Sequence, residues 1–317
     1  MFFGSYYVQY RYRGSQRTLT VSTTTSLYDT GLLENAVGPA FSEEKGIEVR
    51  FVPKGTGAAI EDAKMGNSDL ILIHAKSREK EFLEKGHGVN RKVIAYNFFA
   101  IVGPSDDPAG ISGMEPVEAL KNVFELGEKE DVIWTSRDDG SGTNTREIGL
   151  WRAAGYSYEE DVRGKDWFRS TGQGMGPTLK HCSNNDSYTL ADMGTFLAYS
   201  EEGLIDLEVL VADARELTNV YSVIPVNPEM YDTDFDEAMA FTRWLTSEDA
   251  QRLIADYGGE EYGRQLFQSV KGILEEGEGD GRVYPWLVEY GFMDGMECPE
   301  EYRYKALEYD LEFWDDR

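Results

Sequence analysis

Short apolar runs alternate with amphipathic stretches along the first hundred residues. That alternation restricts the chain to a layered α/β fold. Leu19 to Ser22 reads as a strand. A helix follows, with Leu32, Leu33, Ala36, Val37, Ala40 and Phe41 on one face, and Gly46 ends it. Ile47 to Val52, Leu70 to Ile73 and Val93 to Val102 are further strands, with helices near Ala58 and from Ser77. Leu70 to Ile73 is aliphatic throughout, the mark of a strand buried on both faces. The βαβαβ order predicts a mostly parallel sheet with helices on both faces.

A second section begins near Gly103-Pro104. Val117, Leu120, Val123 and Phe124 mark a helix. Val132 to Thr135, Leu207 to Val211 and Ser222 to Val226 are strands. Helices begin near Gly142, Gly174 and Ala191, and run over Asp234 to Leu245 and Ser247 to Asp256. With 317 residues the chain exceeds one average domain, so two lobes are expected. Residues 276–317 are strongly acidic yet rich in Tyr, Phe and Trp, unlike a disordered acidic tail. This extension is expected to be ordered, with Tyr302 to Trp314 as a helix docked on the body.

The acidic excess narrows the partners. Asp and Glu number 58 against 31 Lys and Arg, a formal charge of −27. Such a chain does not suit a nucleic-acid backbone or an anionic membrane surface. The charge reads as plain solubility or as adaptation to high salt. No apolar run is long enough to span a bilayer. Residues 1–16 are aromatic and basic but have no continuous apolar core, so they do not read as a secretory signal. Cys182 and Cys298 read as two separate thiols, and no metal-cation site is expected from three histidines.

Three loops share one chemical design. Ser22-Thr23-Thr24-Thr25-Ser26, Gly55-Thr56-Gly57 and Ser136 to Thr143 each follow a strand, carry small hydroxyl residues and open a helix. Gly172-Gln173-Gly174-Met175-Gly176 has the glycines without the hydroxyls. Helix N-termini offer free N–H groups and partial positive charge, and hydroxyls add neutral donors. In an open sheet these loops leave the carboxyl edge of the strands and can converge on an anion. One such hydroxyl is ordinarily an N-cap. Four in a row, or an arginine within a Gly/Ser loop, exceed what a cap requires.

Other chemistry lacks its motifs. There is no Gly-x-x-x-x-Gly-Lys loop, no Gly-x-Ser-x-Gly elbow and no His-Glu-x-x-His helix. A hydrolase would need a general base beside Ser141, and no histidine lies near it in sequence. His74 ends a buried strand and reads as a satisfied core histidine. No catalytic residue is therefore assigned, and no cofactor is expected.

These motifs resemble the tungstate-binding proteins of ABC transporters. The likeness starts at Thr23-Thr24-Thr25-Ser26 and continues through Gly55-Thr56-Gly57 and Asp69 to His74. It extends through Gly88-Val89-Asn90-Arg91, Tyr96-Asn97, Gly103-Pro104 and Asp107-Pro108-Ala109-Gly110. Ser136 to Thr143, Gly172 to Gly176 and Tyr188-Thr189-Leu190 complete it, over roughly Leu19 to Phe267. The family usually has Asp, His and Arg where Phe98, Asn144 and Met193 stand here.

The resemblance implies an α/β, two-lobed fold of the type II periplasmic-binding-protein class. Lobe I would hold 17–102 plus 219–275, and lobe II 103–218. Tungstate or molybdate would lie between them. Thr24, Thr25, Ser26 and Thr56 would touch it from one side. Arg137, Ser141, Thr143 and the Gly174–Met175 backbone would touch it from the other. The partner would be an ABC permease, the protein a monomer, and its place periplasmic or extracellular. A phosphate-binding protein is the nearest rival, since Arg137 to Thr143 also resembles a phosphate loop and Asp138 and Asp139 could accept the proton of phosphate. An intracellular anion-sensing domain is a further alternative.

Overall fold

A computed structural model describes residues 17–316 except 261, 264 and 277–280. The reading of residues 1–16 therefore lies outside the described residues. The chain begins with β1 (Arg17–Thr24), α1 (Thr25–Tyr28), a π-turn over Leu33–Val37 and α2 (Gly38–Lys45). Then come β2 (Ile47–Lys54), α3 (Thr56–Lys64), β3 (Leu70–Ile73), α4 (Lys76–Glu84) and β4 (Lys92–Gly103). Next are α5 (Pro116–Gly127), β5 (Trp134–Ser136), α6 (Gly142–Ala153), β6 (Phe168–Ser170), α7 (Met175–Asn184), β7 (Thr189–Asp192) and α8 (Met193–Glu201). The chain ends with β8 (Glu208–Val211), β9 (Thr218–Pro225), α9 (Phe235–Leu245), α10 (Glu248–Asp256), α11 (Lys271–Glu276) and α12 (Val283–Gly291).

The locally encoded boundaries follow their signals. Gly46 caps α2 at φ 66°, a left-handed conformation that costs glycine little. Ser141, Asp192 and Ser247 accept backbone N–H groups at the starts of α6, α8 and α10. Leu70, Ile71, Leu72 and Ile73 are all fully buried.

The fold is α/β with a mixed sheet, in the order β2-β1-β3-β9-β4-β7, and β8 also pairs with β4. Parallel pairing joins β1 to β2 and β3, and β5 to β6. The parallel share is smaller than the βαβαβ order suggested, because β9 returns between β3 and β4 and pairs antiparallel with both. Strand β4 changes partners midway. Lys92 to Phe98 pair with β9, whereas Phe99 to Gly103 pair with β7 and β8.

The cores divide along β4 as well. Ile94 and Ala95 belong to one cluster with Leu19, Val21, Phe41, Leu70, Tyr221 and Phe241. Phe99 and Ile101 belong to another with Trp134, Trp151, Leu190 and Val211. In the first, Phe41 meets Phe241 edge-to-face at 4.8 Å, worth about 0.5–1.5 kcal/mol beyond burial.

The described part of the extension is ordered, but Tyr302 to Trp314 is not a helix. Short 3-10 turns at Glu300–Tyr302 and Trp314–Asp316 flank a run of tight turns. Lys305 (φ 46°) and Asp310 (φ 53°) interrupt any helical run. Distant partners take the hydrogen bonds instead. Asn90 pairs with the backbone of Tyr304, and the Trp314 N–H donates to Glu297. The extension's helix is α12, packed over β9 and not signalled in the sequence reading. Cys182 and Cys298 are separate buried thiols. No helix among the described residues is long and apolar enough to cross a membrane.

Candidate functional site

The hydroxyl loops do leave the carboxyl ends of β1, β2 and β5. Thr24 caps α1, its Oγ1 accepting from Leu27 N at 3.4 Å. Ser141 caps α6, its Oγ accepting from Asn144 N at 3.2 Å. A capping hydroxyl accepts from its helix and still holds its own proton to donate. Capping and anion binding are therefore compatible at both residues. Thr56 and Met175 are the first residues of α3 and α7, whose caps, Gly55 and Gly174, have no side chain to satisfy the first N–H groups. The loops face each other, since a Cβ on Gly174 would lie 4.0 Å from Thr25 Oγ1.

Three predicted residues on two of these loops share one property. Thr56 Oγ1, Arg137 Nη1 and Thr143 Oγ1 are buried and have no hydrogen-bond partner among the described residues. Each residue is at most 2% exposed. A buried unsatisfied donor costs about 1–3 kcal/mol, more when charged.

Arg137 is held by its own loop. Nε and Nη2 donate to Asp139 Oδ2 at 3.1 and 2.6 Å, while Asp139 Oδ1 accepts Ser141 N at 3.0 Å. Glu147 braces the same loop from α6, accepting from Ser136 Oγ at 2.6 Å and Trp134 Nε1 at 2.7 Å. Burial pushes its carboxyl up to about 7, and those hydrogen bonds oppose the rise. The Arg137 charge also reaches across the cleft. Burial raises the Asp29 carboxyl and Arg137 opposes that rise, while the same charge disfavours protonation of His74.

Behind Ser26 lies a buried polar network. His74 Nε2 is 3.2 Å from Ser26 Oγ, and His74 Nδ1 is 2.8 Å from Asn219 Oδ1. The Asn219 amide donates to Asn97, Asp192 and the Tyr221 hydroxyl, and Tyr221 donates to Asp192 at 2.7 Å. This network joins β3, β4, β7 and β9 where the two cores meet. Burial lowers the His74 pKa, with Asp192 opposing.

The sequence reading missed Arg78, on α4. Its Nη1 lies 3.1 Å from a Cβ built on Gly57, and its Nη2 lies 3.5 Å from one on Gly140. It thus stands between the Thr56 loop and the Arg137 loop. A cation one turn into a polar helix carries no local mark of that position.

The three departures from the family's usual residues have roles in packing or bracing. Phe98 meets Tyr96 and Trp286 of the extension edge-to-face at 5.9 and 6.3 Å. Asn144 accepts from Gly140 N at 3.1 Å and supports the Arg137 loop. Met193 is buried with Met175, Leu179 and Phe196.

A family model for the PBP superfamily domain matches residues 13–249. The tungstate-binding protein TupA of Peptoclostridium acidaminophilum is 39% identical over 79% of this chain and 85% of its own. The chain belongs to the tungstate-binding family of the PBP superfamily. A Haloferax volcanii protein assigned as an ABC transporter anion-binding protein is 45% identical over 80% of this chain and 72% of its own. The solved structure of the tungstate ABC transporter protein from Geobacter sulfurreducens is 36% identical, with a TM-score of 0.69 over 77% of this chain and 100% of its own.

Proposed function

We propose that this protein captures a fully deprotonated tetrahedral oxyanion, tungstate or molybdate, and presents it to an ABC permease. The buried, unpartnered donors of Thr56, Arg137 and Thr143 carry this reading. Thr24, Thr25, Ser26, Ser141 and the N–H groups at Gly174 and Met175 complete the cage. At −27 the protein repels a dianion at long range, and salt confines that repulsion to about 8 Å. Affinity must therefore be local. Each charge-assisted hydrogen bond contributes about 1.5–3 kcal/mol, so several reach nanomolar affinity after ordering costs.

We assign 17–102 with 219–275 to one lobe and 103–218 to the other. The change of partner and of core at Phe98–Phe99 supports a hinge there. Closure about β4 and β9 would bury the ion and form the surface that a permease reads. The reading takes the protein as a monomeric binding protein acting outside the cytoplasmic membrane, without catalysis or cofactor.

The carboxylates of the Arg137 loop count against phosphate. A phosphate site needs a free acceptor for the anion's proton. Asp139 is filled by Arg137 and the Ser141 N–H. Asp138 is engaged by Arg163 at 3.1 Å and the Tyr158 hydroxyl at 3.4 Å.

Calorimetric titration of refolded, ligand-stripped protein with tungstate, molybdate, sulfate and phosphate tests the reading. Nanomolar tungstate binding, weakened at least tenfold in Arg137→Ala, is expected. Tight phosphate binding, or silence from all four anions, would overturn it.

A further inference from the structure

The hydrogen-bond network behind Ser26 dictates where its protons sit. Asn219 Nδ2 lies 2.8 Å from Asn97 Oδ1, 3.1 Å from Asp192 Oδ2 and 2.9 Å from the Tyr221 hydroxyl. Its amide nitrogen faces acceptors, so its Oδ1 is the atom that faces His74 Nδ1 at 2.8 Å. An amide oxygen only accepts, so His74 Nδ1 carries a hydrogen. In the neutral ring Nε2 is then a bare lone pair, and it faces Ser26 Oγ at 3.2 Å. Ser26 has one proton. While His74 is neutral, that proton is drawn to Nε2 at 3.2 Å rather than to its longer partner, Thr24 Oγ1 at 3.4 Å, and the oxygen lone pairs are left for the cleft.

We propose that His74 is a positioning residue that sets, through the Ser26 hydroxyl, whether the loop accepts from or donates to the bound oxyanion. Capture of a deprotonated dianion then takes up one proton. This inference rests on the oxyanion reading above. With imidazolium at position 74, Nε2–H donates to Ser26 Oγ, and the Ser26 proton turns to the anion. With neutral imidazole, Ser26 offers only an acceptor, which suits an anion that carries its own O–H. His74 therefore bears on the choice between tungstate and monohydrogen phosphate as well as on affinity.

The surroundings favour neutral imidazole in the empty site and imidazolium in the loaded one. Tyr221 of β9 stacks on the ring with centroids 4.9 Å apart, and Phe99 of β4 lies at 6.1 Å. At the start of α6, a Cβ on Gly142 would come 2.8 Å from the ring. Enclosure this tight penalises the charged ring, and Arg137 across the cleft adds to the penalty. Asp192 at the end of β7 and Glu79 on α4 oppose it. Arg146 of α6 and Lys76 of α4 line the cavity beside the ring. A dianion seated against Arg137 offsets that residue's charge and adds negative potential of its own. Both effects raise the His74 pKa on binding. Affinity then strengthens as pH falls through the window between the empty and loaded values, by up to tenfold per pH unit.

Calorimetry on the full chain decides this. Wild type and His74→Gln are titrated with tungstate between about pH 6.5 and 9, each in two buffers of different ionisation enthalpy. Comparing the two buffers gives the protons taken up. In the variant, the Gln amide can donate to Ser26 Oγ without titrating. Wild type is expected to take up about one proton at the lower end and to weaken as pH rises. His74→Gln is expected to bind with no uptake and a flat profile. A second readout uses the wild type alone: the ring-proton shift of His74, followed by NMR, should titrate at higher pH with tungstate bound. Tungstate binding without uptake, uptake retained in His74→Gln, or an unmoved His74 titration would overturn this inference and leave the oxyanion reading standing. Absence of tungstate binding at every pH would overturn both.

Discussion

Arg137 gives both Nε and Nη2 to a single oxygen of Asp139 and keeps Nη1 buried without a partner among the described residues. The carboxylate thus aims the guanidinium and leaves one edge without a partner. Asp139→Ala is expected to weaken tungstate binding about tenfold, about 1.4 kcal/mol, with far-ultraviolet circular dichroism unchanged. Titration calorimetry reads this directly. An unchanged dissociation constant would mean that Arg137 is held by something else.

Arg78 spans Gly57 and Gly140 at the edge of the same cleft. Its charge is half-buried, so its attraction for a dianion is only partly screened. Arg78→Ala is expected to weaken tungstate about threefold to tenfold, roughly 0.7–1.4 kcal/mol, and to reduce the salt dependence of binding. Dissociation constants at low and high salt, compared with wild type, check both.

Burial lifts the Glu147 carboxyl to about 7 from the ordinary 4.5. Between those values the folded protein keeps a proton that the unfolded chain releases. The folded state binds more protons, so stability falls as pH rises through that window, by about 3 kcal/mol in all. Glu147→Gln should flatten this slope. Urea unfolding at steps from pH 4.5 to 7 would show an unaltered slope if Glu147 were not its source.

Lys92 and Glu297 form a buried ion pair at 2.6 Å that anchors the extension to β4. Glu297 also accepts Val93 N at 2.5 Å and Trp314 N at 2.9 Å, while the Lys92 ammonium lies 4.2 Å from the Trp314 ring centre. Removing one partner strands a buried charge, at a cost of about 3–5 kcal/mol. Glu297→Gln should therefore destabilise the whole chain in chemical denaturation. Loss confined to the extension, with the body's transition unmoved, would show that the two unfold independently.

How much was legible follows the distance between interacting residues. The Gly46 cap, the Leu70–Ile73 strand and the hydroxyl runs at 22–26 and 136–143 are written in adjacent residues. Local sterics and helix-end donors act over a few positions, so a reader of the chain meets the whole signal at once. The predicted helix over Tyr302 to Trp314 failed for the opposite reason. Its apolar residues were visible, but the partners of its backbone lie at Asn90 and Glu297. Helix α12 was missed because Pro285 and a short apolar stretch give little helical periodicity.

The layered α/β class and the hydroxyl-bearing loops that open helices after β1, β2 and β5 were legible in the chain alone. These depend on composition and short-range order. The tertiary structure decided that β9 returns between β3 and β4, that Asp139 aims Arg137, that Arg78 stands at the cleft edge and that Ser26 meets His74 from 48 positions away. Those relationships arise when packing of the apolar strands brings remote polar groups out of water together. Once there, each must find a partner or be left for a ligand.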